Sequence, residues 1–389
     1  MHSGRLVFAE LMDFLPRHEF NRCVRQHQGN RRVRRFSCWD QFLCMAFAQL
    51  TYRESLRDIE TCLRAMRGKL YHAGIRTRVA RNTLAKANEL RDWRIYADLA
   101  AVLIARARRL YVHEPFVIDL QQTVYAFDST TVDLCLSLFP WAQFRRHKSA
   151  VKLHTLLDVR TNIPCFIHVS SARMADVTAM DLLPIETGAF YAFDRGYTDF
   201  QRLYAFHQAL AFFVIRAKRD LDFVRRGYRE VDKSTGLRSD STILLDGPKT
   251  RQVYPDPLRR ISYYAADLDK RFVFLTNNFT LPALAIAQVY KCRWRVELFF
   301  KWIKQYLRIK AFFGTSPNAV KTQVWIAVCV YVLVAIAKKE LGIPRSLGEI
   351  LQILSISLFE NAPILQAFSH ECTMIDTNEV HNQLPLFKF

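Results

Sequence analysis

The spacing of apolar residues changes character at about residue 115. Before that point apolar side chains recur at the three- to four-residue intervals of helices. The segment Trp39–Leu50 is apolar enough for a buried helix, and Glu54–Leu63 carries a second helical pattern. A further helix is expected to begin near Asn82 and Thr83, because both residue types are favoured N-caps. The N-terminal part is therefore predicted to be all-helical.

Beyond residue 115 the pattern changes to short segments in which apolar and polar residues alternate, which is typical of strands. A helix is expected after Asp176, between the third and fourth of these strands. Strands interleaved with helices predict an α/β fold, in which chemistry sits at strand ends. Asp128 and Asp194 each follow an Ala-Phe pair and are therefore predicted to lie at such ends. The predicted strands cover residues 123–134, 151–159, 164–172, 188–197 and 211–218.

The segment Val289–Leu307 lacks Gly and Pro and alternates basic with apolar residues, so it is predicted to be one amphipathic helix. On a wheel of about 100° per residue, one carboxylate falls among aromatic and basic groups, and an apolar arc lies beside it. The polar row consists of Tyr290, Arg293, Glu297 and Lys304, and the apolar arc of Val289, Val296, Phe299, Phe300, Ile303 and Leu307. An alternative is that Arg293–Glu297 is an ordinary i,i+4 ion pair on a solvated face.

The charge of the chain adds a partner to this picture. The 389 residues contain 56 Lys and Arg against 36 Asp and Glu, a net charge of +20. Residues 1–110 alone hold 22 basic and 10 acidic residues, an excess of +12. Such an excess favours a polyanionic partner, most often nucleic acid, although a basic enzyme without such a partner is an alternative.

Two other classes of protein are disfavoured. The nine cysteines form no C-x-x-C pair, so neither a zinc site nor a disulfide framework is indicated. Their odd number, with no signal peptide, favours a reducing cytoplasm. The longest apolar run, Val324–Ala337, has 14 residues and is predicted to be a buried helix that is too short to span a bilayer.

Basic residues of the N-terminal helices suggest a helix-turn-helix-like surface for duplex DNA. Arg78, Arg81 and Lys86 are predicted to face that duplex, and a helical bundle with basic solvent positions is the alternative. A separate basic run at residues 31–35 follows Gly29 and Asn30. It could contact phosphates or be a solvated loop.

The row of Tyr290, Arg293, Glu297 and Lys304 resembles the YREK signature of DDE transposases of the IS-four insertion-sequence family. The resemblance implies that Glu297 is the third metal-binding carboxylate and that Tyr290, Arg293 and Lys304 hold the DNA backbone. It also requires two upstream aspartates at strand ends, which Asp128 and Asp194 supply. A ribonuclease-H-like core with a β-rich insertion is implied as well, together with the N-terminal domain of one branch of the family.

Membership would make the chain a cut-and-paste transposase that uses two Mg²⁺ ions, with Mn²⁺ as a substitute, and carboxylates suit such hard cations. Its partners would be terminal repeats, target DNA and a second protomer, with no membrane, in the cytoplasm. Trp294, beside the signature row, is a candidate to stack on an unpaired base. The alternatives are a catalytically silent DNA-binding derivative and a ribonuclease-H-like nuclease that only hydrolyses. The expected segments are a helical DNA-binding domain at 1–114, core parts at 115–218 and 274–315, the β-rich insertion at 219–273 and a C-terminal helical region at 316–389.

Overall fold

The structure is a computed structural model that describes residues 5–116, 118, 120–306 and 312–369. The chain divides into two compact units. The first unit combines residues 1–184 with residues 292–368, and the second is built from Ile185–Lys291 with the residues from Ser369 onward. Residues 370–389 of the predicted C-terminal helical region lie outside the described residues.

From residue 5 onward the first unit begins with seven helices, and the three that the apolar spacing predicts are among them. Helix α3 is the buried helix expected near Trp39, and it starts at a capping box in which Ser37 and Asp40 bond each other's backbone. Helix α6 begins at Arg81 on an Ala80 cap, so the predicted caps at Asn82 and Thr83 are wrong. The helices are α1 (Val7–Asp13), α2 (Arg17–Gln26), α3 (Cys38–Leu50), α4 (Leu56–Ala65), α5 (Arg67–Leu70), α6 (Arg81–Leu90) and α7 (Arg94–Tyr111).

Four strands of the first unit follow: β1 (Val124–Leu134), β2 (Gln143–Arg145), β3 (Lys148–Asp158) and β4 (Ile163–Ser171). Strand β3 pairs antiparallel with each of the other three. Asp128 lies in the middle of β1, opposite Thr155, so its predicted position at a strand end is wrong. The strand continues because Thr130, Thr131 and Val132 are β-branched and go on pairing with β3.

The second unit carries six strands in the order β5-β6-β10-β9-β8-β7. Strands β5 and β6 are parallel, and the remaining pairs are antiparallel. Asp194 directly follows β5, as predicted, and the strands expected between residues 219 and 271 are present. The elements are β5 (Phe190–Phe193), α8 (Phe200–Gln208), β6 (Phe212–Arg216), β7 (Phe223–Arg229), β8 (Leu237–Leu245), α9 (Pro248–Val253), β9 (Leu258–Ala265), β10 (Lys270–Thr276) and α10 (Ala283–Cys292).

A buried ion pair joins β8 to β9 in the second unit. Arg259 donates from Nη2 to Asp240 Oδ2 at 2.6 Å and from Nε to Asp240 Oδ1 at 3.0 Å. Its Nη1 donates to the Leu281 carbonyl at 2.6 Å. Both charged side chains are only 3% exposed. A buried pair of this kind is tolerated because its hydrogen bonds are satisfied.

Helix α11 begins at Trp294, whereas α10 ends at Cys292, so the single helix predicted from Val289 to Leu307 is wrong. Arg293 lies in the turn between the two helices. Neither Gly nor Pro marks the break, and Leu307 lies outside the described residues. The predicted apolar arc is nevertheless buried wherever it is described: Val289, Val296, Phe299, Phe300 and Ile303 are all at most 5% exposed.

The remaining helices of the first unit are α11 (Trp294–Tyr306), α12 (Pro317–Glu340), α13 (Leu347–Ser357) and α14 (Ile364–Ser369). Helix α12 packs against α3, α6 and α7, and its apolar residues form the centre of this unit. With 24 residues, it is longer than the predicted apolar run. Among the described helices it is the one long and apolar enough to cross a membrane, but 94% of its most apolar window is buried in the protein. The predicted buried helix is therefore confirmed, whereas the prediction that it is too short to span a bilayer is wrong, because the helix extends beyond the apolar run.

Candidate active site

One guanidinium group joins two of the predicted acidic residues in the first unit. Arg293 donates from Nη1 to Asp128 Oδ2 at 2.8 Å and from Nη2 to Glu297 Oε1. The side chains of Arg293, Asp128 and Glu297 are 12%, 19% and 29% exposed, respectively. The i,i+4 pair between Arg293 and Glu297 therefore exists, but it does not lie on a solvated helix face.

The local fold explains why these side chains meet. Helix α11 lies against β1 and β3, because its apolar arc packs there and against α12. On the same helix, Arg295 donates from Nη1 to the Val159 carbonyl, just beyond the end of β3, at 2.5 Å. Asp128 is oriented on its strand by the Ser129 backbone N–H, which donates to Asp128 Oδ1 at 2.8 Å. Glu297 is thus held by a helix and Asp128 by a strand, and both elements are packed.

The electrostatics of this cluster favour a cation. Among its three side chains, two carboxylates oppose one guanidinium, so the trio carries one net negative charge. Carboxylate oxygens are the ligands that hard divalent ions prefer. Within residues 5–116, 118, 120–306 and 312–369, no three His, Cys, Asp or Glu side chains form a ready metal cluster. The donor chemistry of Asp128 and Glu297 nonetheless fits such an ion, and Arg293 is the cation that they hold in its place.

Two further predicted residues meet in the second unit. The Tyr290 hydroxyl donates to Asp194 Oδ1 at 3.3 Å, and its ring packs on Phe274 with centroids 4.7 Å apart. Asp194 also precedes a short 3-10 turn, Arg195–Tyr197. The structure therefore connects the second predicted aspartate with the tyrosine of the signature.

The remaining signature residue, Lys304, lies on α11 in the first unit, as does the neighbouring candidate Trp294. Lys304 donates from Nζ to the Thr131 carbonyl at 2.9 Å, on the same strand as Asp128. Trp294 is the first residue of α11 and is half-buried. Neither position contradicts a role in binding DNA, and that role remains a prediction.

A polar network beside Asp128 was missed by the sequence analysis. Asp176 accepts from Ser129 Oγ at 2.6 Å and pairs with Lys152 Nζ at 2.9 Å. Burial raises the pKa of Asp176, but the hydrogen bonds from Ser129 and Lys152 outweigh it and hold that pKa below its ordinary value. The helix predicted after Asp176 is a short 3-10 helix, Asp176–Leu182, which begins at Asp176 itself with Ala175 as its cap. Because Ser129 and Asp176 are 47 positions apart, nothing in the local sequence signals their contact.

The three predicted DNA-facing residues of the N-terminal region do not share one surface. Arg78 lines a depression with Arg64, Arg67 and Arg76. Lys86 lines a larger groove, together with residues of the basic run at 31–35. Arg81 is exposed at the start of α6, where its Nε donates to Asn82 Oδ1 at 3.4 Å. Arg78 and Lys86 therefore line different concavities, and Arg81 lines neither of the two.

Comparison with known proteins adds two family matches. Residues 119–333 match the family described as "Transposase DDE domain". Residues 3–76 match a domain of unknown function, DUF4372. The first match spans both units and includes Asp128, Asp194 and the whole signature. That domain implies a ribonuclease-H-like core, which agrees with the predicted α/β class and with the helices observed on either side of the strands.

Three relatives carry transposase names. A Sinorhizobium fredii protein, y4zB, is named as a transposase and is 33% identical over 285 residues, or 72% of this chain and 78% of its own length. A Geobacillus stearothermophilus protein named as a transposase for insertion sequence element IS5377 is 28% identical, covering 65% of this chain and 66% of its own length. A Synechocystis protein named for insertion sequence element IS4SA is 21% identical over 81% of this chain and 85% of its own length.

Proposed function

The chain belongs to the family of DDE-domain transposases, and from that membership we propose that it binds the terminal repeats of its own insertion sequence and performs metal-dependent DNA cleavage and strand transfer. The observation that carries this proposal is the Arg293 bridge between Asp128 and Glu297. It brings two acidic residues and the arginine of the signature into one accessible cluster. Asp194 would supply the third carboxylate.

The three carboxylates Asp128, Asp194 and Glu297 would hold two Mg²⁺ ions, and Mn²⁺ would substitute for them. When bound, such ions supply Lewis-acid activation of the attacking oxygen and stabilise the leaving oxygen. Side chains on packed elements keep the oxygen donors in place, so little reorganisation is needed before reaction. In strand transfer the freed 3′-hydroxyl replaces water as the nucleophile.

Tyr290, Arg293 and Lys304 would hold phosphates that flank the scissile bond. In the structure Arg293 faces carboxylates, so its guanidinium becomes available to a phosphate once those carboxylates bind cations instead. A guanidinium suits that exchange because its planar fork recognises carboxylate and phosphate oxygens alike. Trp294, next in sequence, would stack on a base that is unpaired near the cleavage site.

The proposed partners are the terminal inverted repeats, a target duplex and a second protomer on the paired end, and the proposed compartment is the cytoplasm. The net charge of +20 supports a DNA partner, because neutralised phosphates release counterions. Helix α12 is long and apolar enough to cross a membrane, and 94% of its most apolar window is buried within the protein. We also propose that the chain is divided into the five functional segments named above, with boundaries at residues 114, 218, 273 and 315.

A cleavage and strand-transfer assay on repeat-end DNA tests this function. We expect that Asp128→Ala, Asp194→Ala and Glu297→Ala each lower cleavage by at least about a thousandfold, roughly 4 kcal/mol of barrier. Binding to repeat ends should remain. Asp133→Ala is a matched control, because Asp133 lies exposed on the same strand as Asp128.

Each alternative function gives its own result in this assay. A wild-type protein that binds ends but never cleaves them with Mg²⁺ or Mn²⁺ would be a catalytically silent derivative. Cleavage without joining of the 3′ end to target DNA would identify a nuclease that only hydrolyses. Full activity of Asp128→Ala would contradict the assigned site.

A further inference from the structure

Two distant segments of the N-terminal region form one basic groove. Its wall on one side comes from the loop between α2 and α3, and on the other side from α6. The side chains that matter are Arg31, Arg32 and Arg34 from the loop and Asn82, Thr83 and Lys86 from the helix. All six are exposed, and the groove has a volume of about 930 Å³. We call it the N-terminal groove.

The loop wall of the groove has a defined backbone. Gly29 has no room for a side chain, because a Cβ there would lie 2.4 Å from Ile95 Cδ1 and 2.7 Å from Cys38 Sγ. Arg32 has a left-handed backbone at φ 58°. The Asn30 side chain accepts from the Cys38 N–H at 2.8 Å, which ties the loop to the first turn of α3. These three features fix the backbone of the loop wall.

Arg91, at the end of α6, fastens the loop to the helix wall. It donates from Nη1 to the Ser37 carbonyl at 2.8 Å and to Gln41 Oε1 at 3.0 Å, and from Nη2 to the Phe36 carbonyl. Its guanidinium also lies over the Phe36 ring, 5.4 Å from the centroid. The two walls are therefore connected by one side chain. The backbone that carries the loop arginines is in place before any ligand binds. Such preorganisation lowers the entropic cost of binding.

In the described part of the chain, no carboxylate forms an ion pair with Arg32, Arg34 or Lys86 within 4 Å. The one carboxylate on the rim, Asp92, is engaged elsewhere: its Oδ1 accepts from the Arg94 backbone N–H at 2.9 Å and pairs with Arg94 Nε at 3.4 Å. A groove that concentrates three or four cations in this way attracts a polyanion.

We propose that the N-terminal groove binds the sugar-phosphate backbone of duplex DNA and thereby gives the domain of unknown function at residues 3–76 a backbone-holding role. Guanidinium and ammonium groups would contact successive phosphates, while Asn82 and Thr83 add neutral donors at the start of α6. This assignment rests on the proposed transposase function, because it takes DNA as the partner. Of the predicted DNA-facing residues Arg78, Arg81 and Lys86, the proposal keeps only Lys86. The arginines of the loop take the place of Arg78.

The test uses the full-length protein with three exposed side chains changed together, Arg32→Gln, Arg34→Gln and Lys86→Gln. Binding of a repeat-end duplex is measured across a range of salt concentrations. Each lost phosphate contact lowers the slope of log affinity against log salt by about 0.9, so we expect the slope to fall by about 2 to 3. At about 0.1 M salt the affinity should fall roughly a hundredfold. The matched control removes the same charge from the other depression with Arg64→Gln, Arg67→Gln and Arg76→Gln.

Three results would overturn the assignment. Wild-type affinity and slope in the groove variant would show that DNA does not occupy the groove. Equal losses in both triple variants would show a response to overall charge rather than to a site. The single variant Lys86→Gln, one exposed change that leaves the loop intact, should lower the slope by about 1, and an unchanged slope would overturn the assignment too.

Failure of the groove and failure of the transposase function can be told apart. Metal-dependent cleavage by the groove variant is measured at protein concentrations that saturate the DNA. Retained cleavage beside unchanged binding would remove the groove and leave the proposed function standing. A wild-type protein that shows no binding to DNA at all would remove both.

Discussion

Each of the two units contains an arginine that binds carboxylate, and the two clusters differ in balance and access. In the second unit Arg259 faces one carboxylate, Asp240, and both side chains are 3% exposed. In the first unit Arg293 faces two carboxylates, Asp128 and Glu297, which are 19% and 29% exposed. The cluster at Arg259 is closed and balanced in charge, whereas the cluster at Arg293 is open and carries an excess of negative charge among its three groups.

That difference separates an ion pair that stabilises the protein from one that a ligand can exchange. Arg259 directs its remaining donors to backbone carbonyls at Leu281 and Asn278, so all of its surroundings are protein. The cluster at Arg293 combines an excess of negative charge with partial access from solvent. Similar residue types therefore have different roles because burial and charge balance differ.

The largest expected effect comes from breaking the closed cluster. Asp240→Ala leaves Arg259 buried and without its carboxylate, which should cost about 3–5 kcal/mol of stability. Asp128→Ala should cost less than that, because Arg293 keeps its bond to the Glu297 carboxylate. Hydrogen exchange measured by mass spectrometry over β8 and β9, and over β1, would report each loss locally. Equal losses at the two sites would contradict the distinction.

An intermediate effect is expected at Trp294, the neighbour of Arg293 in the open cluster. If its indole stacks on an unpaired base, Trp294→Ala should slow the cleavage of intact ends, because about 1–3 kcal/mol of stacking energy is lost. Pre-nicked ends with an abasic site at the flipped position should restore cleavage, because no base then needs a stacking partner. The readout is the cleavage rate on the two substrates.

Trp302→Ala serves as the matched control for that measurement. The Trp302 ring packs on Tyr331 with centroids 4.4 Å apart and an interplanar angle of 79°, which is an interior contact. Its loss should affect both substrates alike. If Trp294→Ala behaves in the same way as Trp302→Ala, Trp294 is a packing residue and the stacking role is refuted.

The smallest expected effect concerns the exchangeable cation itself. Arg293→Gln removes the guanidinium that occupies Asp128 and Glu297, so Mn²⁺ should bind the DNA-free protein about tenfold more tightly, or about 1.4 kcal/mol. Calorimetric titration without DNA measures this directly. Arg295→Gln is the control, because Arg295 bonds a backbone carbonyl rather than a carboxylate. Unchanged or weaker Mn²⁺ affinity in Arg293→Gln would mean that the guanidinium does not compete for the site.

The sequence predicted the elements better than the geometry within them. Periodicity was sufficient to find the N-terminal helices, the strands and the buried face of α11, because burial follows apolar spacing. It misplaced Asp128 at a strand end, since the β-branched residues after it continue the strand. It also missed the break at Arg293, where no Gly or Pro is present. The contact of Ser129 with Asp176 depends on chain segments far apart, which a local pattern cannot contain.

Helix α12 has a consequence for how the N-terminal region can be studied and how it folds. Helices α3, α6 and α7, which pack on α12, are synthesised more than 200 residues before it. Their apolar faces therefore stay exposed until α12 emerges from the ribosome. A fragment that ends near residue 110 would keep those faces exposed, and we expect it to aggregate rather than behave as an autonomous module. Exchanging the N-terminal helices between related transposases would then require that α3, α6, α7 and α12 be transferred together, because they pack on one another.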